Sequence, residues 1–172
     1  MAAQTFKGFL LTRNWRDSSA GIELEFWFST QQGPLCARVH GQRSVFFLAA
    51  ADQQRAQALL GDEPGVEVKP VELRDFAMRP VVAVYWRSYR AARRCAQRLR
   101  EQGLEPLESD INPADRYLME RFIAGSALLQ GEPRQRERSL LLDDPIMKSV
   151  DHRPQLKMVS FDIETAMEGV QL

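Results

Sequence analysis

The sequence has no long apolar run. Nowhere in its 172 residues is there the stretch of about 20 apolar residues that a bilayer-crossing helix needs, and the opening Met1-Ala-Ala-Gln-Thr-Phe does not read as a signal peptide. A cytoplasmic protein is the expectation. Cysteine is scarce: Cys36 and Cys95 lie far apart and outside any metal-ligand spacing, so reduced, buried thiols are expected rather than a disulfide. Histidine is equally scarce. His40 ends a strand-like stretch and His152 precedes Arg153-Pro154, with no second His or Cys at ligand spacing, which removes a zinc site from consideration. Charge of either sign is not in excess, because 23 basic residues balance 23 acidic ones. That balance excludes a polycation gripping nucleic acid with its whole surface, and any DNA contact must be local. There is no internal repeat and no low-complexity segment.

What remains, 44% hydrophobic and 27% charged residues, suffices for one good core or two small ones. Residues 6–12, 22–30 and 35–40 alternate apolar and polar positions, as half-buried antiparallel strands do. Asp17-Ser-Ser-Ala-Gly21 and Gln31-Gln-Gly-Pro34 supply the turn residues between them, giving a small sheet or partial barrel. The rhythm then changes. A strand at 44–48 leads to Asp52 as a helix cap and a helical run ending at Leu60-Gly61. A strand at 66–73 follows, then Val81-Val-Ala-Val-Tyr-Trp86 as a buried strand, a helix over 88–102 closed by Gly103, and a strand at 104–108. The order β-α-β-β-α-β predicts an α+β fold whose 44–110 core is ferredoxin-like, with two helices on one face of a four-stranded antiparallel sheet. A further helix is expected over 113–124, with Asn112 as cap, Pro113 at its first position, and Tyr117, Leu118, Phe122 and Ile123 as packing residues. Beyond it, 131–138 reads as a polar loop, 139–142 as a short apolar piece, 143–154 as a connector, and a last strand begins near Leu156.

That last stretch holds the most informative string, Lys157-Met-Val-Ser-Phe-Asp-Ile-Glu-Thr165. Strand alternation puts Ser160, Asp162 and Glu164 on one face, so two carboxylates point the same way. Clustered carboxylates hold the divalent cations of two-metal phosphodiester hydrolysis, but two acids are only part of such a ligand set. The bland alternative is the solvated side of an amphipathic strand. A second candidate lies between residues 87 and 100, where six arginines occur with no acid. At 100° per residue Arg87, Arg90, Arg94 and Arg98 form one stripe, opposite Tyr89, Ala92, Cys95, Ala96 and Leu99. The stripe fits a phosphate backbone, and equally a solvated helix face pairing with acids such as Glu101. Phe46, Phe47, Tyr85 and Trp86 occupy the strands where RNA-recognition modules carry stacking rings, although the Gly-Phe-rich signature of such modules is absent and core packing is the simpler assignment.

Phe161-Asp-Ile-Glu-Thr165, preceded by Pro154-Gln-Leu-Lys157, by Asp115-Arg-Tyr-Leu-Met-Glu-Arg-Phe122, and by the opening Gly8-Phe-Leu-Leu-Thr-Arg-Asn-Trp-Arg-Asp17, resembles the start of a bacterial family-B DNA polymerase. The resemblance runs from Gly8 to Thr165. It is weaker across the helices and across 131–154. It implies that 1–131 is the polymerase amino-terminal domain (1–43 strands, 44–110 core, 111–131 helix and strand), 132–155 a connector, and 156–172 the first strand of a truncated RNase H-like 3′–5′ exonuclease. It also implies that Asp162 and Glu164 are the first exonuclease motif, catalytic and metal-binding in a parent enzyme that uses Mg2+ or Mn2+, with none tightly bound by this incomplete site. The later exonuclease motifs and the polymerase catalytic regions are missing, so the chain alone is expected to be inactive. The implied partners are single-stranded template DNA and the remainder of the polymerase, in a bacterial, nucleoid-associated setting with no membrane. A sliding clamp belongs to the same picture for the parent, with no segment here that reads as its site. A different class stays open: a non-catalytic single-stranded nucleic-acid-binding or intramolecular docking module.

Overall fold

The computed structural model describes residues 2–61, 63–156 and 159–162. Alternation works as the sequence suggests in the first three strands, β1 (Gln4–Ser18), β2 (Gly21–Thr30) and β3 (Gly33–Gln42), which form an antiparallel meander. Ile22, Leu24, Phe26 and Phe28 of β2 face the core, while Glu23, Glu25 and Trp27 take the other side. β1 is long enough to serve two partners. Its first half pairs with β7 (Ser126–Gly131) and its second with β2, and Gly8 belongs to both registers. A register shift between Leu10 and Thr12 turns the exposed Leu11 away from the core.

The chain then leaves this sheet to build a second. β4 (Ser44–Ala49), β5 (Val66–Arg74) and β6 (Pro80–Trp86) form a three-stranded antiparallel sheet in the order β4-β6-β5. A 3-10 turn at Ala50–Asp52 intervenes before α1 (Gln53–Leu60), and Asp52 makes no side-chain capping bond. Helices α1 and α2 (Tyr89–Glu101) bury Ala56, Leu60, Ala92, Cys95, Ala96 and Leu99 against Phe46, Leu48, Val82, Val84 and Trp86. The strand expected at 104–108 is reduced to one antiparallel bridge, Leu107 to Phe47. Leu104 is nevertheless buried in the same core.

The segment read as loop and connector contains strands. β8 (Arg134–Arg136), β9 (Ser139–Asp143) and β10 (Ile146–Ser149) return to the first sheet, completing the seven-strand order β10-β7-β1-β2-β3-β9-β8. β9 runs parallel to β3, with Ala37 opposite Leu142. The buried Leu142 and Met147 thus belong to the first core.

Helix α3 (Pro113–Met119) sits between the sheets. Asn112 caps it by accepting from the Ala114 amide, and Ala114, Tyr117 and Leu118 pack on the large sheet. The helix stops five residues before the expected end, because Phe122 adopts a left-handed φ of 54°. Phe122 is therefore 85% exposed rather than packed, which corrects its assignment as a core contact; Ile123 is buried as expected. Both cysteines are buried and unpaired. Leu156 and residues 159–162 lie in no strand, and Glu164 falls outside the described residues, so the closing strand expected from Leu156 is not seen among the residues described.

Candidate nucleic-acid interface

The arginine helix is the best-defined candidate, and its placement begins with its cap. Ser88 Oγ accepts from the Ala91 amide at 3.1 Å and donates to Asp17 at 2.8 Å. The same Asp17 carboxylate accepts from the amides of Tyr89 at 2.9 Å and Arg90 at 3.3 Å. A helix N-terminus presents unpaired N–H groups and partial positive charge, so a carboxylate there is doubly favourable. Because Asp17 lies in the last rungs of β1, opposite Ile22, this contact fixes α2 to the other sheet. Trp15 reinforces it edge-on to Tyr89, with ring centroids 4.8 Å apart, and the Tyr89 hydroxyl donates to the Asp110 carbonyl. Sequence reading took Asp17 for a turn residue. Its partners lie 71 to 73 residues away, and no local signal points to them.

On α2 the five residues expected to face the core, Tyr89, Ala92, Cys95, Ala96 and Leu99, are the buried ones. Arg87, Arg90, Arg94 and Arg98 are exposed. Arg98 pairs with Glu63 at 3.1 Å, and Glu101 accepts instead from Gln97. Among the described residues no acid stands at ion-pair distance from Arg87, Arg90 or Arg94. Arg98 and Arg100 lie in the last turn, where they complement the helix dipole. Three of the four cations of the stripe thus stand without an acid partner among the described residues, an arrangement chemically suited to phosphate groups.

The aromatics divide by face. Phe46 and Trp86 lie under the helices, 1% and 2% exposed, which removes them as stacking platforms. Phe47 and Tyr85 lie on the opposite face, partly covered by arginines: Arg116 stands 5.7 Å from the Phe47 ring and Arg43 4.5 Å from that of Tyr85. Between the sheets a cleft of about 240 Å³ is lined by Arg43, Tyr85, Pro113, Arg116, Tyr117 and Glu120, among others. Burial pushes the Tyr117 hydroxyl pKa up, partly offset by Arg121, which lies 3.5 Å over its ring.

Asp162 is exposed and lies in no strand. Among the described residues no group of three or more His, Cys, Asp or Glu side chains is placed to hold a metal ion. The residues described do not by themselves make up a ligand set for a divalent cation. His40 is structural: its amide donates to Asp144 at 2.8 Å and its ring Nδ1 lies 3.1 Å from the same carboxylate.

This fold is found in a family B DNA polymerase. The solved polymerase of the hyperthermophilic archaeon Pyrobaculum calidifontis matches with a TM-score of 0.68 at 19% identity, covering 87% of this chain and 21% of that one. Sequence narrows the class further. Residues 8–43 match the family described as DNA polymerase II, N-terminal, and residues 44–104 the family described as DNA polymerase II, insertion domain. The DNA polymerase II of Escherichia coli (strain K12) is 40% identical over 162 residues, 94% of this chain and 20% of that protein's length. The chain belongs to the DNA polymerase II family.

The strings that carry the resemblance have structural roles. In Gly8–Asp17, Gly8 takes the close approach of Phe28, Arg13 pairs with Asp115 of α3, Arg16 pairs with Glu23, and Asp17 caps α2. In the Arg116-Tyr-Leu-Met-Glu-Arg-Phe122 string, Arg116 pairs with Glu108 at 2.7 Å, Tyr117 and Leu118 are core, and Arg121 lies over Tyr117.

Proposed function

We propose that this chain is the amino-terminal portion of a DNA-directed DNA polymerase with 3′–5′ proofreading, acting in replication and repair in the bacterial cytoplasm at the nucleoid. What carries this is the succession of two DNA polymerase II domain matches across residues 8–104 together with the 40% identity to a relative about five times longer. On this reading the polymerase amino-terminal domain runs through β10, to about residue 149 rather than 131, because β8–β10 complete its sheet, and 156–172 open an RNase H-like exonuclease. The 44–110 core is read as ferredoxin-like, which the β4-β6-β5 order, the two helices on one face and the Leu107–Phe47 bridge support. Asp162 and Glu164 then act as exonuclease ligands for Mg2+ or Mn2+, completed by carboxylates from later in the polymerase, and this chain alone is inactive. Adding the downstream sequence restores nuclease activity; Asp162→Ala with Glu164→Ala abolishes it, and activity surviving in that double variant rejects the assignment.

Within the polymerase, the amino-terminal domain contacts single-stranded template through Arg87, Arg90, Arg94 and Arg98. Support comes from their shared exposed face and from the absence of a paired acid at three of them among the described residues. The expected behaviour is affinity for single-stranded DNA that falls steeply with salt and is lost in Arg90→Glu with Arg94→Glu. Unchanged affinity in that variant removes the stripe as the site. The second reading is an intramolecular docking module, favoured by the exposed Met119 and Phe122 at the end of α3. It predicts no DNA binding by this chain.

A further inference from the structure

Beyond the rung Ala49–Val81, the last that β4 shares with β6, β5 and β6 share one further pair, Arg74–Pro80, reached after a register shift between Pro70 and Arg74, and a hairpin tip projects from it. The tip reads Leu73-Arg-Asp-Phe-Ala-Met-Arg79, and the apolar side chains there face solvent. Phe76 is 109% exposed, and Leu73 and Met78 are exposed as well. Such a tip would ordinarily be loose, but this one is tied. The Asp75 amide donates to the Arg79 carbonyl at 3.0 Å and the Met78 amide to the Asp75 carbonyl at 2.9 Å. The Asp75 carboxylate accepts from the Arg79 amide at 2.8 Å and from Arg79 Nε at 2.6 Å, and Arg74 Nη1 donates to the Met78 carbonyl at 2.8 Å. Met78 is held at a φ of 61°, where a side chain with a Cβ is disfavoured. The ordering entropy of the tip is thus lost on folding and not on association, which is how a preorganised anchor gains affinity.

The chemistry selects the occupant. Arg79 is paired with Asp75, Arg74 donates to the Met78 carbonyl, and two acids offset two arginines over residues 72–79, so the tip has no net positive charge to draw it to a phosphate backbone. That sets it apart from α2. Leu, Phe and Met side chains on a rigid, neutral projection fit an apolar pocket on a protein. In the relative that this chain matches over 20% of its length, the other four fifths lie outside the match, a large protein surface held at high effective concentration. We infer that residues 73–79 are a docking hairpin whose Phe76 fills an apolar pocket on the polymerase body that follows this chain. This rests on reading the chain as the amino-terminal portion of that polymerase.

The test uses the full-length polymerase with Phe76 replaced by the photoreactive p-benzoyl-phenylalanine, irradiated with and without a primer–template and mapped by mass spectrometry. The expected product is an intramolecular cross-link to a residue beyond Leu172, the same with and without DNA. A cross-link to the DNA, a cross-link to a second copy, or no cross-link overturns the inference. As an independent readout, Phe76→Ser in the full-length enzyme speeds hydrogen exchange of the Asp75 and Met78 amides roughly ten- to hundred-fold, the loss expected from uncovering one aromatic anchor. In the present 172-residue chain the same substitution leaves the unfolding midpoint unchanged, because the ring is not covered there. A gene that ends at Leu172 overturns both this inference and the reading it rests on, whereas a full-length polymerase cross-linking elsewhere overturns the docking alone.

Discussion

Asp17 joins the two sheets through a single side chain. Its carboxylate receives two amides and a hydroxyl at the start of α2, and each is a charge-assisted bond to a group that the helix cannot satisfy by itself. Asp17→Ala should lower the unfolding free energy by about 2 kcal/mol in urea titration, and Asp17→Asn by less, since the amide oxygen still accepts. Equal losses in the two variants would show that the charge and the acceptor geometry contribute nothing separable. Cys36 provides a pH signature at the same scale. Burial first, and Glu25 next, push its thiol up to about 11 from an ordinary 9.0. The unfolded thiol releases its proton near 9.0 while the folded one keeps it, so the unfolded state binds fewer protons across that window. The stability contributed by the neutral thiol is fully present below 9.0 and is lost as pH rises through about 11. Urea midpoints should decline over that range in the wild type and decline less in Cys36→Ala.

At the scale of elements, β1 shows how a close approach constrains a strand. Gly8 pairs with Thr30 on one side and Ala127 on the other, and a Cβ there would stand 2.9 Å from Phe28 Cβ and 3.2 Å from a Leu129 methyl. Gly8→Ala should cost about 1–3 kcal/mol by overpacking, read as a lower urea midpoint with an unchanged slope. Helix α2 was legible to within one residue at each end because a 13-residue helix gives the 3.6-residue period several turns in which to show itself. α3 was legible only at its start, where Asn112 and Pro113 are local signals. Its end depends on a left-handed Phe122 that no residue preference announces. β8, β9 and β10 are three to five residues long, too short for alternation to register, and β9 is defined by a parallel neighbour about a hundred residues earlier. Of the candidate site residues, the arginines lie where periodicity places them. Asp162 does not sit on a strand, and its motif drew its meaning from resemblance rather than from any local pattern.

At the scale of the whole molecule, the two sheets are not successive beads. The large sheet takes its first three strands from before the small sheet and its other four from after it, so the small sheet is an excursion from a structure that closes only near residue 149. The family boundaries at 43/44 mark where the chain leaves the large sheet, not where that sheet ends. Energetically the returning strands belong to the first core: Leu142 and Met147 are buried with Phe26, Phe28 and Leu129, and β9 and β10 cover the outer edges of β3 and β7. A chain ended at residue 131 would lose those contacts and leave two apolar strand edges open, a recognised route to aggregation. Such a truncation should be expressed as insoluble or molten material, with dispersed amide resonances absent. Point substitutions separate this effect from a mere loss of length. Leu142→Ala in the intact chain should cost about 2–5 kcal/mol, as a large-to-small change does at a fully buried site. Ile146→Ala, at an exposed position of β10, should cost well under about 1 kcal/mol. If the 131-residue chain instead folds cooperatively with a midpoint near that of the whole, then β8 to β10 are an appendage, and the view that the large sheet is completed only after the small one is inserted must be given up.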